Sequence, residues 1–187
     1  MVYMFLANGF EEIEALCPLD LLRRAGVEVK TVAVGGDALR VTGSHGITVL
    51  ADMDEKDFAD EAPEMVILPG GMPGSTNLDN SAVVDAAIRA ALANDAYLAA
   101  ICAAPMVLGQ QGYLRGRRAT CFPGFEKYLD GATEIGGSVI RDGSPAHGGG
   151  VITARGVGVA MEFGLELVSV LASPEEAGAI RAAIQAP

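Results

Sequence analysis

Tryptophan is absent, and cysteine and histidine are nearly so: the chain has three cysteines and two histidines in 187 residues. An odd, sparse set of cysteines (Cys17, Cys102, Cys121) excludes a disulfide framework and suits a reducing compartment. With no CxxC pair and no His/Cys cluster, neither a structural zinc site nor a haem is expected. Basic residues are scarce too. Thirteen Lys and Arg stand against 24 Asp and Glu, a net charge of -11. That balance disfavours nucleic-acid backbones and anionic membranes as partners, since both need a positive field, and it serves solubility. No run approaches the roughly 20 apolar residues of a membrane span. The first seven residues are apolar but have no basic flank, and they meet Asn8-Gly9-Phe10-Glu11-Glu12 too soon for a signal peptide. They read as a first strand, and a cytoplasmic location is expected. Neither GxxxxGK[ST] nor GxGxxG after a first strand is present, so no nucleotide cofactor is expected.

What the chain does have is apolar residues, half of the total, enough for one core and a single domain over 1–187. Short β-rich runs alternate with helical patterns. Strands are expected over 2–7, 27–34, 65–68, 97–101, 118–121 and 151–154. Helices are expected over 11–25 and 81–93, from Pro105 onward, and over 157–171 and 174–183. Residues 40–41 and 47–51 read as a hairpin around Thr42-Gly43-Ser44-His45-Gly46, and Gly148-Gly149-Gly150 as a loop. This alternation predicts an α/β fold with a mainly parallel sheet, whose sites form at the carboxyl ends of strands.

Three elements fall at such ends. In Tyr97-Leu98-Ala99-Ala100-Ile101-Cys102-Ala103-Ala104-Pro105 an apolar strand runs straight into a cysteine and then into a helix start. A side chain on that turn is held off the sheet, near N–H groups the helix leaves unsatisfied. Those groups and the helix dipole favour thiolate over thiol, so Cys102 is the candidate nucleophile. A packed core thiol has the same apolar flanks; the coincidence of three strand ends favours the nucleophile. Glu11 and Glu12 are ordinary acids of a first helical turn. Glu14 differs, because helical spacing aligns it with Pro18 and Leu21 on an apolar face. A buried carboxyl stays protonated at raised pKa, and beside Cys102 it can donate a hydrogen bond and move a proton. In Leu68-Pro69-Gly70-Gly71-Met72-Pro73-Gly74 the paired glycines let backbone approach a ligand closely. The Gly71 N–H with that of Ala103 can hold an oxyanion, although a plain tight turn fits the same residues. His45 and His147 read as loop residues and Cys17 as core. Cys121 is either a packed thiol or one that resolves an oxidised Cys102.

Taken in order, these motifs, with Thr120-Cys121-Phe122-Pro123, Thr153-Ala154-Arg155-Gly156-Val157-Gly158 and Glu162-Phe163-Gly164, resemble the ThiJ/PfpI superfamily in its DJ-one branch, the deglycase and glyoxalase III-like group. The resemblance covers essentially the whole chain. It implies a flavodoxin-like three-layer sandwich and a homodimer. It puts the family nucleophile on Cys102, its protonated glutamate on Glu14, and its anion-holding N–H groups on Gly71 and Ala103. Gly70 and Phe122 complete the expected substrate-binding set, with no metal and no cofactor. An arginine reaching the site from the partner subunit would match Arg24. Phe122 stands where some relatives carry histidine, Val157 where the family has a dimer-facing proline, and the segment 142–150 is longer than usual. Ala103 in place of the histidine of the protease-like branch disfavours proteolysis.

Two functions follow as expectations. The first is a cofactor-free cysteine enzyme acting on α-oxoaldehydes such as methylglyoxal, or the related protein deglycase chemistry. The alternative is a redox sensor in which Cys102 is oxidised to sulfinate. A third reading, an amidotransferase-like hydrolase, needs a downstream histidine–glutamate pair for which the chain offers only His147.

Overall fold

A computed structural model describes residues 1–59, 62–144 and 149–187. His147 lies outside the described residues. Seven strands form the main sheet: β1 (Val2–Ala7), β2 (Val29–Val34), β5 (Met53–Asp54), β6 (Met65–Leu68), β7 (Tyr97–Ile101), β10 (Val139–Ser144) and β11 (Gly149–Ala154). Their order is β10-β11-β7-β6-β1-β2-β5. Every pairing is parallel except β10 with β11.

The central strands are apolar on both faces because both faces are covered. Alternation then sorts their side chains into two cores. Val2, Met4 and Leu6 join the first core, with α1 (Glu12–Arg24), α5 (Ala160–Leu171) and α6 (Pro174–Ala183). Tyr3, Phe5 and Ala7 join the second, with α2 (Gly74–Asp79), α3 (Ala82–Ala93) and α4 (Pro105–Gln110). The result is the three-layer, flavodoxin-like sandwich that the resemblance implied. Helix starts carry the capping chemistry their sequences advertise. Ser81 Oγ accepts the Val84 N–H at 3.3 Å, and Ser173 Oγ accepts that of Glu176 at 3.1 Å with Pro174 at the first helical position.

The hairpin expected around residues 42–46 is present as β3 (Arg40–Thr42) and β4 (Thr48–Leu50), antiparallel. Three features differ from expectation. Gly149 and Gly150, expected in a loop, belong to β11, since ladder bonds to β10 on one side and β7 on the other override the weak strand preference of glycine. The polar edge strand β10 carries no apolar alternation to announce it. The two-residue pair β8 (Arg118–Ala119) and β9 (Glu134–Ile135) replaces the longer strand expected over 118–121.

Helices α1 and α5 pack closely where Gly164 faces Pro18. A methyl group at Gly164 would sit 2.7 Å from Leu21 Cδ1 and 2.9 Å from the Pro18 backbone Cα. The leucine can turn away but the backbone cannot. Gly164→Ala is therefore expected to destabilise the fold by about 1–3 kcal/mol through overpacking, read as a lower urea midpoint at unchanged slope.

The chain leaves β1 towards β2 on one side, while β6 flanks β1 on the other. The carboxyl ends of β1 and β6 thus flank the switch-point crevice, where sheets of this kind hold ligands. The carboxyl end of β7 lies next to it.

Candidate functional site

Cys102 follows β7 immediately and has φ +65°, a left-handed conformation that non-glycine residues adopt rarely and usually for a reason. Its N–H donates to the Ala154 carbonyl at 2.8 Å, and its carbonyl accepts the Phe122 N–H at 2.7 Å. Tied to β11 on one side and to the residue after Cys121 on the other, the backbone has one way to aim the thiol. The Gly71 and Ala103 N–H groups both point hydrogen bonds at the sulfur. The β6–α2 and β7–α4 turns therefore bring the Gly71 and Ala103 N–H groups, paired in the sequence reading, to the same sulfur.

Glu14, on the first turn of α1, is 1 % exposed. The N-cap Glu11 fixes the turn by accepting the Glu14 N–H at 2.7 Å. Glu14 Oε2 accepts the Gly70 N–H at 3.1 Å. Its Oε1 is buried with no nitrogen or oxygen partner, and the carboxyl's remaining polar contact is the Cys102 thiol. Burial, helped by the charge of Glu11, raises the Glu14 carboxyl to about 7. Gly70 makes the contact possible. A methyl there would collide with Glu14 Oε2 and stand 2.6 Å from Cys102 Cβ and 2.8 Å from the Ile101 carbonyl oxygen, so no other residue lets carboxyl and thiol meet across this turn.

The thiol's ionisation differs from the sequence expectation. Burial first, then the charge of Glu14 and its hydrogen bond, push Cys102 up to about 12, against the downward pull of the Ala103 and Gly71 N–H groups. α4 is only six residues long, and its dipole does not offset burial beside a carboxylate. The two groups work as a pair that shares one proton. With the proton on sulfur, Glu14 is the charged member. With it on Glu14, the carboxyl donates to a thiolate that the two N–H groups also hold.

The other residues singled out from sequence separate clearly. Phe122 brings its backbone to Cys102 and leaves its ring largely exposed. Arg24 ends α1, is exposed, and pairs with Asp20 at 2.6 Å. Ten residues of helix, about 15 Å, separate it from Glu14, so it does not serve this chain's own site. Cys121 is buried in the second core, whereas Cys102 packs against the first, and all three cysteines are free. Cys17 is half-buried on α1, packed against the first core.

Sequence reading missed the role of Glu12. Its carboxylate reaches across to the β3–β4 turn, accepting the His45 N–H at 2.8 Å and the Ile47 N–H at 3.4 Å and meeting His45 Nδ1 at 2.9 Å. Burial acts to raise this carboxyl, but those hydrogen bonds outweigh it and hold Glu12 at about 2. His45 is thus a clasp that ties the hairpin to the segment 8–12, not a free turn residue. Among the described residues Glu11, Glu12 and His45 form the one group with metal-ligand spacing, and the clasp accounts for it.

A profile of the DJ-1/PfpI family matches residues 1–170. The chain is 37% identical to Protein DJ-1 homolog B of Arabidopsis thaliana over 92% of its own length, and spans 38% of the length of that protein. It is 34% identical to Protein dj-1beta of Drosophila melanogaster, covering 92% of this chain and 90% of the other. With the Glutathione-independent glyoxalase DJR-1.2 of Caenorhabditis elegans it shares 31% identity over 91% of this chain and 87% of the other. Among solved structures, oxidized DJ-1 of Toxoplasma gondii superposes with a TM-score of 0.90 at 34% identity, over 98% of this chain and 97% of that one. Among the described residues, no helix is long and apolar enough to cross a membrane.

Proposed function

Starting from the fact that the chain belongs to the DJ-1/PfpI family, we propose that it is a cofactor-independent cysteine enzyme that converts small α-oxoaldehydes, methylglyoxal first among them, to 2-hydroxy acids. The observation that carries this reading is the buried Glu14 carboxyl in contact with the Cys102 thiol, opposite the Gly71 and Ala103 N–H pair. A relative that bears the name glutathione-independent glyoxalase supports the same class.

The Cys102 thiolate adds to the aldehyde carbon, and the new hemithioacetal oxygen lies toward the Gly71 and Ala103 N–H groups. Glu14 supplies the proton to that oxygen and becomes the carboxylate. It then removes the hydrogen from the former aldehyde carbon and returns it to the neighbouring carbon, while the hemithioacetal hydroxyl proton passes to the neighbouring oxygen. This leaves a thioester, the first carbon oxidised and the second reduced, with no external electrons. Water cleaves the thioester, releasing lactate and the thiol. Deglycase activity would begin from the same adduct on a glycated amine. The working unit is a homodimer in a cytoplasmic setting, with Arg24 available to the partner subunit.

A second reading, redox sensing through Cys102 sulfinate, is favoured by one observation: Cys121, the residue that would resolve an oxidised Cys102, lies in the other core layer. Two measurements separate the readings. Lactate formation from methylglyoxal without glutathione, above the uncatalysed rate, supports the enzyme, and its absence overturns it. A selective, stable gain of two oxygens at Cys102 under peroxide supports the sensor.

A further inference from the structure

Away from Cys102, a cavity of about 440 Å³ opens at the carboxyl ends of β1 and β2, where the α2–α3 junction closes over them. It lies on the β2 side of β1, whereas the Cys102 crevice lies on the β6 side, and the two share no lining residue. Its polar wall is made by Asn8, Glu55, Asn77, Asn80 and Ser81. Each of these side chains is fixed by one hydrogen bond and has polar capacity to spare. Asn8 Oδ1 accepts the Thr42 N–H at 2.9 Å, which leaves its amide hydrogens. The Asn77 amide donates to the Asn8 carbonyl, and the Asn80 amide to the Thr76 carbonyl, both at 2.9 Å, and each leaves its Oδ1. Glu55 Oε1 accepts the Gly35 N–H at 2.8 Å, which leaves Oε2. Ser81 Oγ accepts the Val84 N–H at 3.3 Å, which leaves its O–H to donate. Groups anchored at one atom and open at the other are in place before a ligand arrives, so binding orders little.

We propose that this cavity binds an uncharged polyhydroxylated ligand, a sugar or a cyclic polyol. A hydroxyl both donates and accepts, and the wall offers both partners: acceptors on Asn77, Asn80 and Glu55, donors on Asn8 and Ser81. An apolar ligand would strand these groups away from water without partners. An anion would meet the Glu55 carboxylate and no lysine or arginine, although α3 starts at the rim. A cation would find one carboxylate and face the Asn8 amide hydrogens. The volume lies within the range of about 300–1,000 Å³ usual for ligand sites, and the carboxyl ends of strands are where sheets of this kind hold ligands. The proposal stands apart from the Cys102 reaction.

The test titrates the intact, ¹⁵N-labelled protein with methyl α-glucopyranoside and with myo-inositol, neither of which has a carbonyl for a thiol to attack. The side-chain amide signals of Asn8, Asn77 and Asn80 are followed by NMR. Saturable shifts with at least one of the two are expected at millimolar concentration. Cyclohexanol keeps the ring of inositol and one hydroxyl, and it is expected to bind at least about tenfold more weakly, because a site built for hydroxyls rejects an analogue that lacks them. Glu55→Gln keeps an acceptor for the Gly35 N–H and turns the spare oxygen into a donor; about fivefold weaker binding is expected, the size of one hydrogen bond. Ala82→Trp places an indole on an exposed position of the cavity wall and should abolish the shifts. No saturation by either polyol up to about 50 mM overturns the proposal, as do equal binding of cyclohexanol and shifts that persist in Ala82→Trp. Saturation by calcium or inorganic phosphate, with none by the polyols, overturns it in favour of an ion.

Discussion

Cys102→Ser is expected to lower methylglyoxal turnover by at least about 10³-fold while leaving the melting temperature within a few degrees. A serine hydroxyl is far less acidic than a thiol, and the elbow already works against ionisation, since burial and the Glu14 charge push even the thiol up to about 12. Without a sulfur anion no hemithioacetal forms, and the residual rate is that of a shaped, polar cleft. Serine is nearly isosteric with cysteine, and the hydrogen bonds that hold residue 102, to Ala154 and from Phe122, use backbone atoms alone. The fold should therefore be indifferent. Lactate assays beside thermal melts check both halves; turnover that survives the substitution would place the chemistry at another residue.

Glu14→Gln should move activity and stability in opposite directions. Activity is expected to drop about 10²–10⁴-fold, the usual worth of a positioned acid–base group. Stability at pH 8 is expected to rise. The folded carboxyl is raised to about 7 from its ordinary value of 4.5. Below pH 4.5 it is protonated in both states and contributes nothing to the pH dependence. As pH rises from 4.5 through 7, the unfolded chain ionises more readily, so the native state loses stability, by about 3 kcal/mol once pH exceeds about 7. A glutamine at this position escapes that loss, and its side-chain carbonyl can still accept the Gly70 N–H. The wild-type kcat/KM should rise with pH through about 7, where the Glu14–Cys102 pair passes from two protons to one. The glutamine variant should lack that step. A variant that is less stable at pH 8, or that keeps the step, would refute the assigned role.

Much of this site is legible in the sequence. The 3.6-residue spacing places Glu14 with Pro18 and Leu21, and all three are buried on α1. The strand-to-helix junction places Cys102 and the Ala103 N–H, and the paired glycines after β6 place the Gly71 N–H at the thiol and the Gly70 N–H at Glu14. These signals are local, a few residues long, and written in residue type. What escapes is set by distant partners. Glu12 looks like Glu11, one more acid complementing a helix dipole, until the fold brings His45 and Ile47 to it from more than thirty residues away. The thiol's ionisation escapes for a related reason. Sequence shows the donors that favour an anion but not the depth of burial or the nearness of Glu14, and here the second pair of effects wins. The polar strand β10 escapes because an edge strand needs no apolar alternation.

The bond from the Cys102 N–H to the Ala154 carbonyl has a consequence for the chain while it is being made. A ribosome adds about 5–20 residues each second, so the cysteine exists for several seconds before its β11 acceptor has been synthesised. During that interval its thiol has an ordinary pKa of about 8.5 and no guarding walls. It is then open to any electrophile in the cell, and it becomes a selective reagent only when β11 has arrived and paired with β7.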